Sequence, residues 1–334
     1  MDDKILLAHG SGGKLSHDLI EKNFIPPFSN PIIDRMDDSA VFDLSGRIAF
    51  TTDSYVVSPI FFPGGDIGKL AVCGTVNDLA MSGASPLYLS VSFIIEEGLS
   101  LAELKKIVSS IQMVATDSGV KIVTGDTKVV NQGSADKLFI NTAGVGIIPP
   151  AVDISGSNAK PGDKVILSGA IGDHGIAIMS QREGLRFEIP VESDCAPLNG
   201  LVAEMLACSH QIHCLRDPTR GGLATTLNEL ARQSGVGINI EEDKIPVHES
   251  VSAACELLGF DPLYVANEGK LVAIVTPAHA EEILNVMRQN RYGRESAIIG
   301  EIVSEHPERV LMKTVLGASR IVDMLTGELL PRIC

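Results

Sequence analysis

The 334-residue sequence has no tryptophan, four tyrosines and ten phenylalanines, so its core must be built from aliphatic side chains. It also lacks long apolar runs. Stretches such as "LYLSVSFII" (87–95) fall far short of the roughly 20 residues a membrane span needs. The opening "MDDKILLAHG" has neither the basic start nor the extended apolar stretch of a secretion signal, and the expected location is the cytoplasm. Basic charge is scarce: 27 Lys and Arg stand against 42 Asp and Glu, for a net charge of −15. With no basic stripe, nucleic acid and membrane surfaces are not expected partners. Acidity does not exclude a nucleotide, because carboxylates hold Mg²⁺ and the metal holds phosphates. Paired cysteines are missing too. Cys73, Cys195, Cys208, Cys214, Cys255 and Cys334 form no C-x-x-C motif, and in a reducing compartment most should be buried thiols.

What is present is ample aliphatic material, 45% hydrophobic residues, in a length suited to about two domains. "KILLA" (4–8) reads as a short strand before the glycine-rich "HGSGGK" and a helix through Asn23. "RIAFTTDSY" is a strand, and "IGKLAVCGTVNDLAMSGA" is a helix stopping at Gly83. In "SLAELKKIVSSIQMVATDSG", Ser100 and Glu103 form a capping box and Gly119 supplies the stop. "KIVTGDTKVV" and "LFINTAGVGII" are further strands, ending at a Pro/Gly/Ser-rich link near 149–162. The second half alternates helices with the strands "KVILSG", "KLVAIVTP", "SAIIGEIV" and "RVLMKTV". There is no internal repeat. Irregular alternation favours an α/β (α+β) fold of two layered domains over a barrel of repeated units.

Several motifs carry chemistry. "HGSGGK" fails as a P-loop, since Ala8 stands five before Gly13 and Leu15 follows Lys14, but its backbone is suited to wrapping an anion. Taken alone, the stretch reads more readily as an ordinary glycine turn. The acidic set comprises Asp37 and Asp38 in "MDDSA", Asp53 in "TTDS", Asn77 and Asp78 in "VNDLA", and Asp126, Thr127 and Lys128 in "TGDTK". Asp53 and Asp126 follow predicted strands, so these carboxylates are expected to meet around a hard cation at one sheet edge. Each alone reads as a turn or cap residue. "CSHQIHC" (208–214) holds four zinc-competent side chains at the wrong spacing, on a helix running into a loop. His174 in "GDHG" is read as a capping or packing residue. "RDPTRGG" (216–222) is an anion-facing helix entry. Glu268 in "NEGK" precedes an apolar strand, where a solvated turn would also account for it. Cys334 is left over: a reactive thiol in "LPRIC", where chains usually fray.

Taken in order, "HGSGGK", "DDSA", "TTDS", "VNDLAMSGA", "TGDTK", "GDHG", "RDPTRGG", "NEGK" and "PRIC" resemble the HypE family of hydrogenase maturation factors. That family lies within the aminoimidazole ribonucleotide synthetase-like superfamily of ATP-using enzymes. The resemblance spans essentially the whole chain, and "PRIC" is its most specific element. It implies an N-terminal ATP-binding and dimerisation domain over 1–150, a C-terminal α/β domain over 151–326 and a flexible tail over 327–334. It implies a homodimer that uses ATP and Mg²⁺ to dehydrate a thiocarboxamide on Cys334 to a thiocyanate. A carbamoyltransferase would load Cys334, and an iron-scaffold complex would accept the cyanide for the nickel–iron hydrogenase centre. Implied roles follow: Cys334 as carrier, Glu268 as base and Lys128 as catalytic assistant. Gly12, Gly13, Lys14, Asn77, Asp126 and Thr127 would bind nucleotide, and Asp38, Asp53, Asp78, Asp126 and Asp217 the metal. The tail from Gly327 to Cys334 reaches at most about 26–29 Å when extended, enough to present the thiol outside and inside. Two other readings are a selenophosphate synthetase-like small-molecule kinase, which needs no Cys334, and a docking protein with a regulatory nucleotide site.

Overall fold

Two β-sheets with helices packed against them organise the chain. The computed structural model describes residues 4–11, 13–37, 39–184, 190–327 and 333–334. A short helical arm, α1 (Lys14–Leu19) and α2 (Ile25–Phe28), precedes β1 (Arg47–Tyr55). A small hairpin, β2 (Phe61–Phe62) and β3 (Gly65–Asp66), leads into α3 (Ile67–Met81), β4 (Ser85–Glu96), α4 (Leu101–Ser118), β5 (Lys121–Val130) and β6 (Leu138–Ile148). The first sheet has the order β1-β6-β4-β5, with only β4 and β5 parallel.

Helix α4 forms as its sequence dictates. Ser100 and Glu103 make the capping box, Gly119 closes the helix with φ 71°, and Leu104, Ile107, Val108, Ile111 and Val114 bury one face. Helix α3 is buried almost all round, as expected for a helix held between a sheet and a second body. Asp66 caps it by accepting from the Gly68 and Lys69 amides. Gly68 lets it cross α4 closely, since a Cβ there would lie 2.6 Å from the Ile107 carbonyl oxygen. Both helices cover one face of the sheet, on which Leu89, Val91, Phe93 and Ile95 of β4 are buried. The opposite face is open, with Phe50 70%, Ile48 51% and Ile94 43% exposed.

The second body contains β7 (Lys164–Leu167), α5 (Asp173–Glu183), α6 (Asn199–Cys208), β8 (Ile212–Arg216), α7 (Gly222–Ser234), β9 (Gly237–Glu241) and α8 (Glu249–Leu258). It continues through β10 (Val272–Val275), α9 (Ala280–Gln289), β11 (Ala297–Val303), β12 (Val310–Lys313) and β13 (Ser319–Val322). Its seven strands run β13-β12-β9-β11-β7-β10-β8. Among the described residues, no helix is long and apolar enough to cross a membrane.

Two local expectations are corrected. "KILLA" is not a strand: Lys4 makes one isolated bridge to Ser100, Ile5 inserts into the core, and the chain then turns over Leu7–Gly10. The stretch after Cys208 is a strand rather than a loop, because Ile212, Cys214 and Leu215 are buried where β8 pairs with β10. The sequence analysis also passed over β9, α8 and β13.

Candidate active site

The site forms where β1 ends, α3 passes and the second body contributes two loops. Strand alternation turns Thr51, Asp53 and Tyr55 of β1 toward α3. There the Thr51 hydroxyl donates to Asp78 Oδ2 at 2.9 Å. Arg220, in the loop before α7, lies 3.8 Å from Asp53 and donates through Nε to Cys334 Sγ at 3.4 Å. Cys334 therefore rests half-buried against the protein. Its carbonyl accepts from the Val56 amide at 3.2 Å, and the Ile333 side chain is buried in the first hydrophobic core.

Glu268 lies beside this thiol and is not the solvated turn residue that its sequence context allows. It is 4% exposed, and among the described residues its Oε1 has no hydrogen-bond partner. Its backbone, by contrast, is held firmly. The Asp194 carboxylate accepts from the Glu268 and Gly269 amides at 3.0 and 3.2 Å and pairs with Lys270 at 3.2 Å. The Asn77 amide donates to the carbonyls of Ala196 (3.0 Å) and Glu268 (3.3 Å) and accepts from the Leu198 amide (2.8 Å). At Gly269 a Cβ would sit 1.8 Å from the Asp194 carbonyl oxygen, so only glycine allows this approach. The result is a rigid loop presenting an unsatisfied carboxylate.

The electrostatics follow from burial beside like charge. Desolvation first, then the neighbouring Cys195, Asp217 and Asp194, holds the Glu268 carboxyl well above the usual range. Asp217 is pushed up to about 7 by burial and then by Asp78. Asp78 is raised by burial despite the bond from Thr51. Burial and Glu268 push the Cys334 thiol up to about 11, against the pull of Arg220. Asp53, Asp78, Asp217 and Glu268 thus form one coupled acidic group around the docked thiol.

Asp126 is not in it. The sheet pairs Asp53 with Thr142, Thr142 with Val91 and Val91 with Gly125, so Asp126, one step further and opposite Ser92, points to the other face. Three strand spacings, about 14 Å, also separate the β1 and β5 edges. Asp126 pairs instead with Lys128 at 2.8 Å, and that bond lowers its carboxyl from the usual value. Both line a cavity of about 320 Å³ with His9, Gly10, Asp37 and Thr127. Gly13 and Lys14 stand exposed at the start of α1, while Gly12 and Asp38 lie outside the described residues. The expected convergence of all these carboxylates is therefore corrected: strand alternation divides them between two faces. Among the described residues, no three of His, Cys, Asp or Glu are placed to hold a metal ion by themselves.

Sequence reasoning named the Arg216–Gly222 segment without singling out Arg220, and it missed Val56 and Asp194 altogether. Asp194 lies in an irregular loop without period or motif, so nothing in the sequence marks it.

A two-sheet α/β body with an acidic cluster at the seam defines a nucleotide-using enzyme class, and the comparisons agree. Residues 36–148 match the N-terminal domain, and residues 160–313 the C-terminal domain, of AIR synthase related proteins. The chain is 56% identical over 329 residues to the carbamoyl dehydratase HypE of Azotobacter vinelandii, covering 98% of this chain and 96% of that one. It superposes on a crystal structure of the hydrogenase maturation protein HypE in complex with ATP with a TM-score of 0.96 at 51% identity, covering 98% and 99% of the two chains. A HypE–HypF complex aligns with a TM-score of 0.82 at 53% identity over 92% and 99%. The chain belongs to the HypE family.

Proposed function

We propose that this chain is an ATP-dependent carbamoyl dehydratase that converts a thiocarboxamide on its own Cys334 to a thiocyanate. The observation that carries this reading is the docked thiol: Cys334 Sγ lies against Arg220, beside the buried, unpartnered carboxylate of Glu268. A surface anchor needs no such pocket, and a small-molecule kinase needs no such thiol.

The chemistry explains the parts. An amide oxygen leaves poorly as water. Transfer of the γ-phosphoryl group of ATP to that oxygen breaks the bond to ADP and makes a phosphate, which departs as the C–O bond breaks. The nitrogen must lose two protons as the C≡N bond forms. Glu268, held in place by its backbone, is assigned to accept one of them in its ionised form, where its raised proton affinity makes it a strong base, and the other leaves with the departing phosphate. Arg220 fixes the sulfur, and Lys128 assists at the phosphoryl group. When bound, Mg²⁺ supplies charge neutralisation, and Asp38, Asp53, Asp78, Asp126 and Asp217 are the residues we assign to it. We keep 1–150 as the nucleotide-binding and dimerisation domain, 151–326 as the C-terminal domain and 327–334 as the carrier arm. A carbamoyltransferase maturation protein would load Cys334, in keeping with the HypE–HypF complex of relatives. An iron-scaffold complex would accept the cyanide.

A homodimer would bring the divided carboxylates to one strand seam. The open face of the first sheet exposes Ile48, Phe50 and Ile94, and two four-stranded sheets closing on each other make an eight-stranded barrel whose interior side chains just fill. Strands β1 and β5 run in the same direction. A two-fold axis along the strands therefore sets β5 of one copy beside β1 of the other, with matching ends together. Asp126 and Lys128 would then stand at the sheet edge beside Asp53 of the second subunit, where a bound nucleotide is able to bridge the two sets.

The deciding experiment is intact-mass analysis after incubation with the carbamoyltransferase, carbamoyl phosphate and ATP. Cys334 should gain a carbamoyl group and then lose one water. Cys334→Ala should fold, bind ATP and acquire neither change, and an adduct on another cysteine would sink the reading. Asp78→Asn should weaken Mg²⁺-ATP binding in calorimetry yet leave Cys334 open to carbamoylation, because the partner performs that step. Unchanged ATP affinity would remove Asp78 from the metal set.

A further inference from the structure

We infer that His174 and Ser193 form the receptor that holds the arm in its docked position, making His174 a positioning residue for the dehydration. The inference rests on the carrier reading of Cys334 and goes beyond it, because it identifies what sets the arm's equilibrium between inside and outside.

His174 opens the first turn of α5, is 0% exposed, and touches two polar partners. Its Nε2 lies 3.0 Å from the Ile333 carbonyl oxygen, and its Nδ1 lies 2.8 Å from Ser193 Oγ. The proton arrangement follows from the partners. A carbonyl only accepts, so Nε2 must carry the hydrogen. Burial lowers the ring's proton affinity, so the imidazole is neutral and Nδ1 accepts. The Ser193 hydroxyl must then donate to Nδ1, and its own oxygen accepts from the Cys195 amide at 3.1 Å. The resulting chain runs from the Cys195 amide through Ser193 and His174 to Ile333. Each member has one direction available, so the relay fixes a donor aimed at the arm's backbone. Phe62 packs edge-on against the imidazole, with centroids 5.6 Å apart, and holds the ring plane.

A buried histidine whose Nε2 meets the Ile333 carbonyl and, among the described residues, no other partner favours the docked arm. With the arm away, this N–H loses its carbonyl partner, and a buried donor left unmet is costly. The same contact ignores the chemistry at sulfur. It reads only the backbone of residue 333, so it serves the thiol, the thiocarboxamide and the thiocyanate alike. Ile333 adds affinity through its buried side chain, and the Val56 amide fixes the next carbonyl. His174 therefore sets how often the sulfur sits beside Arg220 and Glu268, without touching the reacting atoms.

The test compares His174→Leu, His174→Gln and Ser193→Ala in full-length protein. The readout is the rate at which iodoacetamide alkylates Cys334, followed by peptide mass spectrometry, alongside dehydration of carbamoylated protein. Losing one net hydrogen bond should speed Cys334 alkylation about 3- to 10-fold in His174→Leu and slow dehydration by a similar factor. Carbamoyl loading should be undiminished. Glutamine can place an amide N–H where Nε2 stands, so His174→Gln should restore both rates most of the way. Ser193→Ala should shift both in the direction of His174→Leu, by a smaller factor. An alkylation rate that does not change, or a dehydration defect without faster alkylation, would overturn the proposal. Failure of wild-type Cys334 to acquire carbamoyl mass would instead defeat the dehydratase reading, while the alkylation comparison would still decide the role of His174.

Discussion

Glu268→Gln is expected to slow thiocyanate formation by about 10²–10⁴-fold, the usual loss on removing a general base, while carbamoylated Cys334 accumulates with ATP bound. Glutamine keeps the size and shape of the side chain but cannot accept the amide proton. The structure adds an unusual companion result for stability. A solvated glutamate would be indifferent to this change, but Glu268 is buried with one oxygen unpartnered, and its carboxyl is held well above the usual value of 4.5. The folded state therefore binds this proton more tightly than the unfolded chain. Its contribution to stability is fully present below the ordinary glutamate range and is lost as pH rises through the raised value. Glutamine has nothing to ionise. In thermal melts at rising pH, the variant should be at least as stable as wild type, and its advantage should grow with pH. Near-normal thiocyanate formation would remove Glu268 from the mechanism. A wild type whose stability relative to the variant improves with pH would show that the proton affinity of the carboxyl is not raised on folding.

Much of the local structure was legible because single segments decide it. The capping box of α4, the uninterrupted burial of α3 and the strands around "TTDS" and "TGDTK" follow from short-range patterns. The short strand β9 and the edge strand β13 were not legible, because pairing with distant segments decides them. At the site, residue identities could be read but their grouping could not. Asp53 and Asp126 both follow apolar strand starts and look equivalent in sequence. Only the register, with Asp53 opposite Thr142 and Asp126 opposite Ser92, reveals opposite faces. Glu268 was likewise visible as a charged residue before a strand, but its burial depends on Asp194, Asn77 and Gly269 meeting from three parts of the chain.

That division of carboxylates leads to the second large effect, a recovery of activity from two inactive variants. If β5 of one subunit completes the site beside β1 of the other, Asp78→Asn and Asp126→Asn damage complementary halves of each site. Either homodimer should be nearly inactive in ATP-dependent dehydration, since each site lacks one carboxylate of the shared group. Co-expression with two affinity tags gives a mixed dimer. There one site inherits both substitutions, and the other pairs an intact Asp78 with an intact Asp126. The purified heterodimer should recover about half of wild-type activity, and an unfractionated equimolar mixture about a quarter, because half of randomly paired dimers are mixed. If Asp126 served the site of its own chain, every site in the heterodimer would carry one substitution and activity would stay near zero. Recovery also depends on the open sheet face being the contact between subunits, where Phe50 is 70% exposed in the single chain. A heterodimer that forms but stays inactive would place Asp126 in its own subunit's site and refute the shared arrangement.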